Sequence, residues 1–222
     1  MKRFIIVMSG VFFVLAFTKL GYADSGRFAI SGKVSTLGVG AEVTTQIIPS
    51  INARLGINVL GYDYSAIEGH VRYDIDLQLR SFSGLLDWHP FDGSFRLSGG
   101  LLVNQNKLSM KARPTAPQRI GDKTFTPEQI GTLRGSIGFR DLASYVGIGW
   151  GNAVEEDRRL GIVIDLGVAF QGSPNVSLTA DGTLATVPTF QAELAKERRE
   201  LADGMDAFRF WPVIALGVSY KF

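Results

Sequence analysis

Two histidines are the first residues to ask for chemistry. His70 stands in "AIEGHVRYD", and Ser65 precedes it by five positions. A histidine that takes a serine proton while the oxygen attacks an ester is how an acyl chain is trimmed or transferred. No nucleophile motif surrounds this pair, and a solvated loop histidine needs nothing more than the same residues. His89, in "DWHPF" beside Pro90, reads as support for a short turn. The glycines of "YVGIGWGN" invite a phosphate-loop reading, but they alternate with apolar residues and no helix pattern follows. No group of His, Asp and Glu has metal-ligand spacing, so neither metal nor cofactor is named, and no catalytic residue is assigned. What remains is a set of charges that recur at alternate positions in apolar runs, and the elements carrying them decide what they do.

Those runs are "GVGAEVTTQI", "NARLGINVLGY", "DIDLQLRSFSGLLDW", "SFRLSGGLLVNQNKLSM", "SYVGIGWGN", "LGIVIDLGVAFQ" and "PVIALGVSYKF". Most exceed the five or six residues usual in soluble strands and approach the 9 to 11 of a tilted membrane-spanning strand. Links at 49–51, 89–94 and 152–159 are short, whereas those at 63–73, 114–132 and 180–207 are long. Short turns on one side and long loops on the other predict an outer-membrane barrel with its long loops outside. An even strand count needs one more strand. In "RFAISGKVSTLGVGAEV" the apolar parity flips near Ser35 and Thr36, so a hairpin there makes 27–35 the first strand and 37–48 the second, in preference to a β-bulge. The expectation is an all-β, eight-stranded antiparallel transmembrane β-barrel over 24–222, with a helix in the last extracellular loop.

The opening "MKRFIIVMSGVFFVLAFTKLGYADS" predicts a signal peptide over 1–23: Lys2 and Arg3, an apolar run too short to span, then small residues. The chain has no cysteine, and its formal net charge of +2 comes with no basic block outside that segment, which argues against nucleic acid as a partner. Phe210 and Tyr220 share the outward parity at a separation that spans an apolar band of about 25 Å. Trp88, Phe91, Phe95 and Trp150 are expected in the periplasmic aromatic girdle, and Phe208 and Trp211 in the outer one.

On the opposite parity Lys33, Glu42, Arg54, Asp76, Arg80, Arg96, Asp165 and Lys221 all read as inward. An eight-stranded interior has room only for side chains, so mixed charges there pair into a plug; a narrow polar conduit is the other reading. The segment "PTFQAELAKERRELADGMDAF" departs from the strand pattern. Phe190, Leu194, Leu201 and Met205 recur at helical spacing, with Thr189 as a cap. Such a helix closes the mouth as a lid, meets lipopolysaccharide through its charges, or packs one stripe on the barrel rim. "KTFTPEQIGTL" holds a shorter helical turn near Pro127.

Phe222 and Tyr220, with alternate apolar residues behind them, resemble the C-terminal signature read by the barrel-assembly machinery. With "GKVSTLGVGAEV", "DWHPF", "YVGIGWGN" and "FQGSPNVSLTA", the chain resembles a family of small proteobacterial outer-membrane proteins and, more loosely, barrels of the OmpA and OmpW type. The resemblance implies a non-enzymatic protein of the bacterial outer membrane. Its partners would be outer-membrane lipid, lipopolysaccharide and the assembly machinery, and it would serve envelope structure or the binding or passage of a small amphipathic molecule. A lipid-modifying barrel enzyme is the alternative.

Overall fold

The structure, a computed structural model, describes residues 27–91, 93–154 and 159–222; the expected signal peptide lies outside them. In chain order the elements are β1 (Phe28–Ser35), β2 (Gly38–Ile48), β3 (Ile51–Glu68), β4 (Val71–Trp88), β5 (Phe95–Asn104), β6 (Lys107–Pro114), β7 (Gln118–Ile120) and β8 (Lys123–Phe125). There follow α1 (Pro127–Ile130), β9 (Leu133–Gly138), β10 (Leu142–Trp150), β11 (Leu160–Phe170), β12 (Asn175–Ala180), α2 (Pro188–Gly204), a 3₁₀ turn (Asp206–Arg209) and β13 (Phe210–Lys221).

Eight of the strands close a barrel in the order β1-β2-β3-β4-β5-β10-β11-β13, with β13 returning to β1. The hairpin expected at residues 35 and 36 is present, because Ser35 pairs with Gly38 across a two-residue turn. Following paired residues from Phe210 through Phe170, Ser144, Leu101, Gly84, Leu55, Val43 and Ile30 leads back to β13 at Tyr220, a stagger of ten residues. With eight strands that stagger sets a tilt of about 40°. The first aromatic and the last of this row therefore mark the two edges of the apolar band.

The wall is not of even height. Position 63–73 is not the loop expected from the sequence: β3 and β4 stay paired from Ile51↔Trp88 to Glu68↔Val71, and only Gly69 and His70 form the turn. Gly69 has φ 56°, which this tight turn needs and other residues rarely adopt. The other half of that wall is built by β6, β9 and β12, which pair in the order β4-β6-β9-β12. Both β5 and β6 pair with β4 in one unbroken register, from Trp88↔Leu97 to Val71↔Pro114. The run "SFRLSGGLLVNQNKLSM" is therefore one long strand path, interrupted only at Gln105 and Asn106.

The faces of the sheet exchange character where it leaves the membrane. Within the barrel, Phe82, Leu86 and Trp88 point outward and are about half exposed, while Ser81, Ser83 and Asp87 are buried in the lumen. From Arg80 upward the same outward parity carries Arg80, Gln78, Asp76 and Asp74, and the inward parity carries Leu77 and Ile75. Lipid outside and side chains inside give way to water outside and an apolar inner face. This inversion corrects two expectations: Asp76 and Arg80 are not lumen residues but point outward, Asp76 on the polar face of the raised wall and Arg80 at its base. Asp76 accepts a hydrogen bond from Gln78 there at 3.0 Å.

Helix α2 begins at Pro188, with Val187 rather than Thr189 as the residue before its first turn, and Thr189 lies inside the helix. Phe190 and Leu194 are buried against Ile120, Phe125, Ile130 and Leu178, with Leu201 packed at the edge; Met205 ends the helix half-buried. Glu193 and Glu197 accept hydrogen bonds from the backbone N–H groups of Asp122 and Gly121, each at 2.9 Å. The Lys196 ammonium, 2.5 Å from Asp122, holds that carboxyl below its usual range. The helix is thus fastened to the raised wall and to the β7–β8 hairpin, which is the rim-packing alternative. The short turn near Pro127 is α1, with Gln129 Oε1 accepting from the Thr126 N–H at 2.8 Å.

Candidate functional site: a filled lumen

Six of the eight inward charges predicted from sequence do enter the barrel: Lys33, Glu42, Arg54, Arg96, Asp165 and Lys221 are each buried. Five of them meet at one level, joined by Asp87, which sequence reasoning passed over. Arg54, three residues into β3 from its start at Ile51, is the hub. Its Nη1 donates to Glu42 Oε2 at 3.2 Å and to Asp165 Oδ2 at 3.1 Å. Its Nη2 donates to Asp165 Oδ1 at 3.1 Å and to Asp87 Oδ1 at 3.0 Å. Nε lies 2.6 Å from Asp87 Oδ2, close enough for charge pairing although its N–H is not aimed along the contact.

Two further cations complete the cluster. Lys33 pairs with Glu42, and Arg96 Nη2 donates to Asp165 Oδ1 at 2.7 Å. Arg96 also donates to the carbonyl oxygens of Gly151 and Ile164, and Ser98 donates to Asp87 at 2.6 Å. Lys33, Arg54 and Arg96 thus face Glu42, Asp87 and Asp165, three charges against three. That balance matters because an uncompensated ion in this interior would cost several kcal/mol.

Glycine on the inward parity makes the space. A Cβ at Gly149 would come within 2.7 Å of Arg96 Nε, and one at Gly56 within 2.8 Å of Glu42 Cγ. Gly147 and Gly167, paired across β10 and β11, leave the floor on which the Tyr145 ring lies, its Oη 2.4 and 2.5 Å from where their Cβ atoms would be.

Layers close the lumen on both sides of this cluster. Toward the short turns, Asn52 Nδ2 donates to Asn152 Oδ1 at 3.1 Å and faces His89 Nε2 at 3.1 Å. His89 Nδ1 lies 2.9 Å from the Gly93 carbonyl, so Nδ1 carries the proton and Nε2 accepts. His89 therefore supports its turn, as expected, and also floors the lumen. Toward the raised wall, Leu37, Leu85, Leu102, Ala143, Tyr145, Ala169 and Val213 form an apolar layer with Trp211 packed on it. Trp211 is thus turned inward, not into the outer girdle; its place on the lipid side is taken by Phe210, packed edge-on against Phe170 at 5.6 Å. Trp88, Phe91 and Trp150 are exposed at the short-turn edge as expected, and Phe95 contacts Phe91 and Trp150. Above the apolar layer Asn104 donates to Gln171 at 2.8 Å, and Gln171 to the Phe208 carbonyl at 2.8 Å.

Ser65 and His70 do not form a catalytic pair. Ser65 Oγ donates to Asp74 at 2.9 Å, which lowers the Asp74 pKa, with Arg113 adding to the effect. His70 sits in the hairpin turn, where its carbonyl accepts from Thr115.

No protein-family model and no curated protein matches this chain. Among solved structures, it is similar to crystal structures of CarO2 and CarO from Acinetobacter baumannii. CarO2 is 18% identical, with a TM-score of 0.60 over 88% of this chain and 98% of that one. CarO is 20% identical, with a TM-score of 0.59 over the same shares. At these identities the likeness is one of fold, and it agrees with the strand count, the closure and the exposed apolar band: the chain is an eight-stranded antiparallel transmembrane β-barrel of the outer-membrane type.

Proposed function

We propose that this protein is a closed, non-enzymatic barrel of the bacterial outer membrane, and that its working surfaces are the raised wall and the lipid-facing belt rather than the lumen. The observation that carries this reading is the size of what remains inside. Two cavities flank Arg54, of about 10 and 20 Å³, each with room for roughly a single water. The unpartnered Thr44 Oγ1 and Asn52 Oδ1 border the first, and Asn58 Oδ1 and Ser83 Oγ border the second. Between them the guanidinium and three carboxylates fill the section. In planar bilayers the native protein is expected to give no steady channels; large porin-like conductance from the monomer would refute the closed-lumen reading.

A second reading concerns a small amphipathic ligand, and the inner face of the raised wall favours it. Cross-strand pairing aligns Tyr62, Leu77, Leu108, Ile137 and Val176 in one row and Tyr64, Ile75, Met110, Gly135 and Leu178 in the next. Helix α2 covers the Leu178 end, whereas Tyr62 and Tyr64, stacked with ring centroids 6.5 Å apart, are 53% and 49% exposed at the other. Apolar rows with a phenolic edge suit a molecule that is greasy on one side and polar on the other. Titration with 1-anilinonaphthalene-8-sulfonate in nanodiscs, with empty discs subtracted, should show saturable binding that weakens at least fivefold in Tyr62→Ser/Tyr64→Ser. Equal affinity in the double variant would remove this face as the site.

A further inference from the structure

The outer face of the same wall carries a cluster of cations whose height is set by the register. Arg80 pairs across the sheet with Val59, and the backbone N–H of Gln105 donates to its carbonyl. The flanking pairs Val103↔Leu142 and Lys107↔Gly138 put Arg140 opposite Gln105 in the same row. Lys107 lies one outward position higher on the intervening strand. Followed the other way, the row passes from Val59 through Val39 and Val34 to Leu216 on β13. With about 3.3 Å per residue, about 4.8 Å between strands and a tilt near 40°, Arg80 comes out about 2 Å below the level of Phe210. By the same measure Arg140 and Lys107 lie about 4 and 6 Å above it.

All three side chains are exposed on the lipid-facing side at the outer edge of the apolar band. Beneath them on the same strand paths are Phe82, Val103 and Leu142, exposed by 47%, 42% and 56%, with Gln105 between Lys107 and Val103. None of the three cations is ion-paired with a described carboxylate; Asp141, beside Arg140 in sequence, has the opposite parity. Higher on the wall two outward arginines are paired, Arg113 with Asp74 at 3.0 Å and Arg134 with Asp181 at 2.8 Å. Arg80, Lys107 and Arg140 thus stand together, without ion-pair partners among the described residues, at the level where lipid headgroups lie.

We propose that Arg80, Lys107 and Arg140 form a binding site for the phosphates of an anionic glycolipid of the outer leaflet, whose acyl chains lie on Phe82, Val103 and Leu142. Guanidinium groups grip phosphate through two parallel N–H donors, and the lysine adds a mobile point charge between them. Cations at this level are desolvated by the neighbouring lipid on one side, which strengthens each contact relative to bulk water. The site places lipopolysaccharide contact on the barrel wall rather than on Glu193, Lys196 and Glu197 of α2, which are engaged with the β7–β8 hairpin.

This inference rests on the outer-membrane reading, and its test separates the two. Native protein, a triple variant (Arg80→Gln, Lys107→Gln, Arg140→Gln) and a charge-matched control (Lys111→Gln, Arg113→Gln, Arg134→Gln) are inserted into phosphatidylcholine nanodiscs. Insertion and heat-modifiable gel mobility are scored first, so a failure of the barrel reading shows itself before any ligand is added. Diphosphoryl lipid A is then titrated. Native protein and control are expected to bind alike and the triple variant at least tenfold more weakly, with monophosphoryl lipid A in between. Millimolar inorganic phosphate should leave native binding unchanged; full competition by it would overturn the lipid assignment in favour of a soluble-anion site. Equal weakening of both variants would reduce the effect to net charge and overturn the proposal.

Discussion

Replacing Arg54 with alanine should destabilise the inserted barrel by about 4 kcal/mol, the scale of removing one partner from a buried ion pair. The reason is what it leaves behind. Glu42, Asp87 and Asp165 lose their common donor, and only Lys33 and Arg96 remain to oppose three carboxylates. Water cannot replace the guanidinium fully, because the flanking cavities are water-sized and closed above by the apolar layer. Urea unfolding in lipid vesicles, followed by tryptophan fluorescence and gel mobility, would measure the loss. Asp165→Ala should also destabilise, by leaving Arg54 and Arg96 short of an acceptor. The double variant Arg54→Met/Asp165→Leu should cost less than the sum of its parts, because it removes a charge of each sign. A loss below about 1 kcal/mol for Arg54→Ala would show that the network is solvated and the lumen open.

The second large effect is expected at Gly149, where a valine should cost about 3 kcal/mol through overpacking and a displaced ion pair. Its Cβ would fall 2.7 Å from Arg96 Nε and 2.8 Å from the Ile164 carbonyl oxygen. The backbone cannot yield without breaking the β10–β11 ladder, so Arg96 must swing off Asp165. Gly32 provides the contrast in the same barrel. It faces lipid with nothing within 4 Å of a new Cβ, and Gly32→Val should be close to neutral. Equal losses for the two substitutions, read as urea midpoints under the same conditions, would show that strand propensity rather than lumen crowding sets the cost.

The closed lumen and the asymmetric wall together separate two roles within one barrel. Inside, charge is used for packing: at the level of Arg54 three cations face three carboxylates, and glycine supplies the room. Outside, Arg80, Lys107 and Arg140 are exposed at the edge of the apolar band, and Arg113 and Arg134 are ion-paired above them. The amphipathic inner face and the cationic outer face are two sides of the same extended β-sheet, so changes in one wall strand reach both surfaces.

Period-two alternation, turn spacing and the parity flip at residues 35 and 36 were enough to determine the barrel, its eight strands and the short-turn end, because each depends only on which way successive side chains point. They were also enough for Lys33, Glu42, Arg96, Asp165 and Lys221, which lie on strands whose polar parity never changes, and for Arg54, which lies on the half of β3 inside the barrel, before its parity changes. Asp76 and Arg80 went wrong for a definite reason. On β4 the polar residues occupy one parity at 74–80 and the other at 81–87, and parity alone does not say which half lies in lipid. Only pairing to β6 places the first half above the membrane, where a polar face belongs outside. The same ambiguity hid Asp87 and turned 63–73 into a loop; Trp211, on the inward parity of β13 opposite to Phe210, was sent outward by its aromatic character against the parity of its own strand. The meeting of Arg54 with Asp165, separated by 111 residues in sequence, was decided by closure: only the ten-residue stagger brings the polar positions of distant strands to one level.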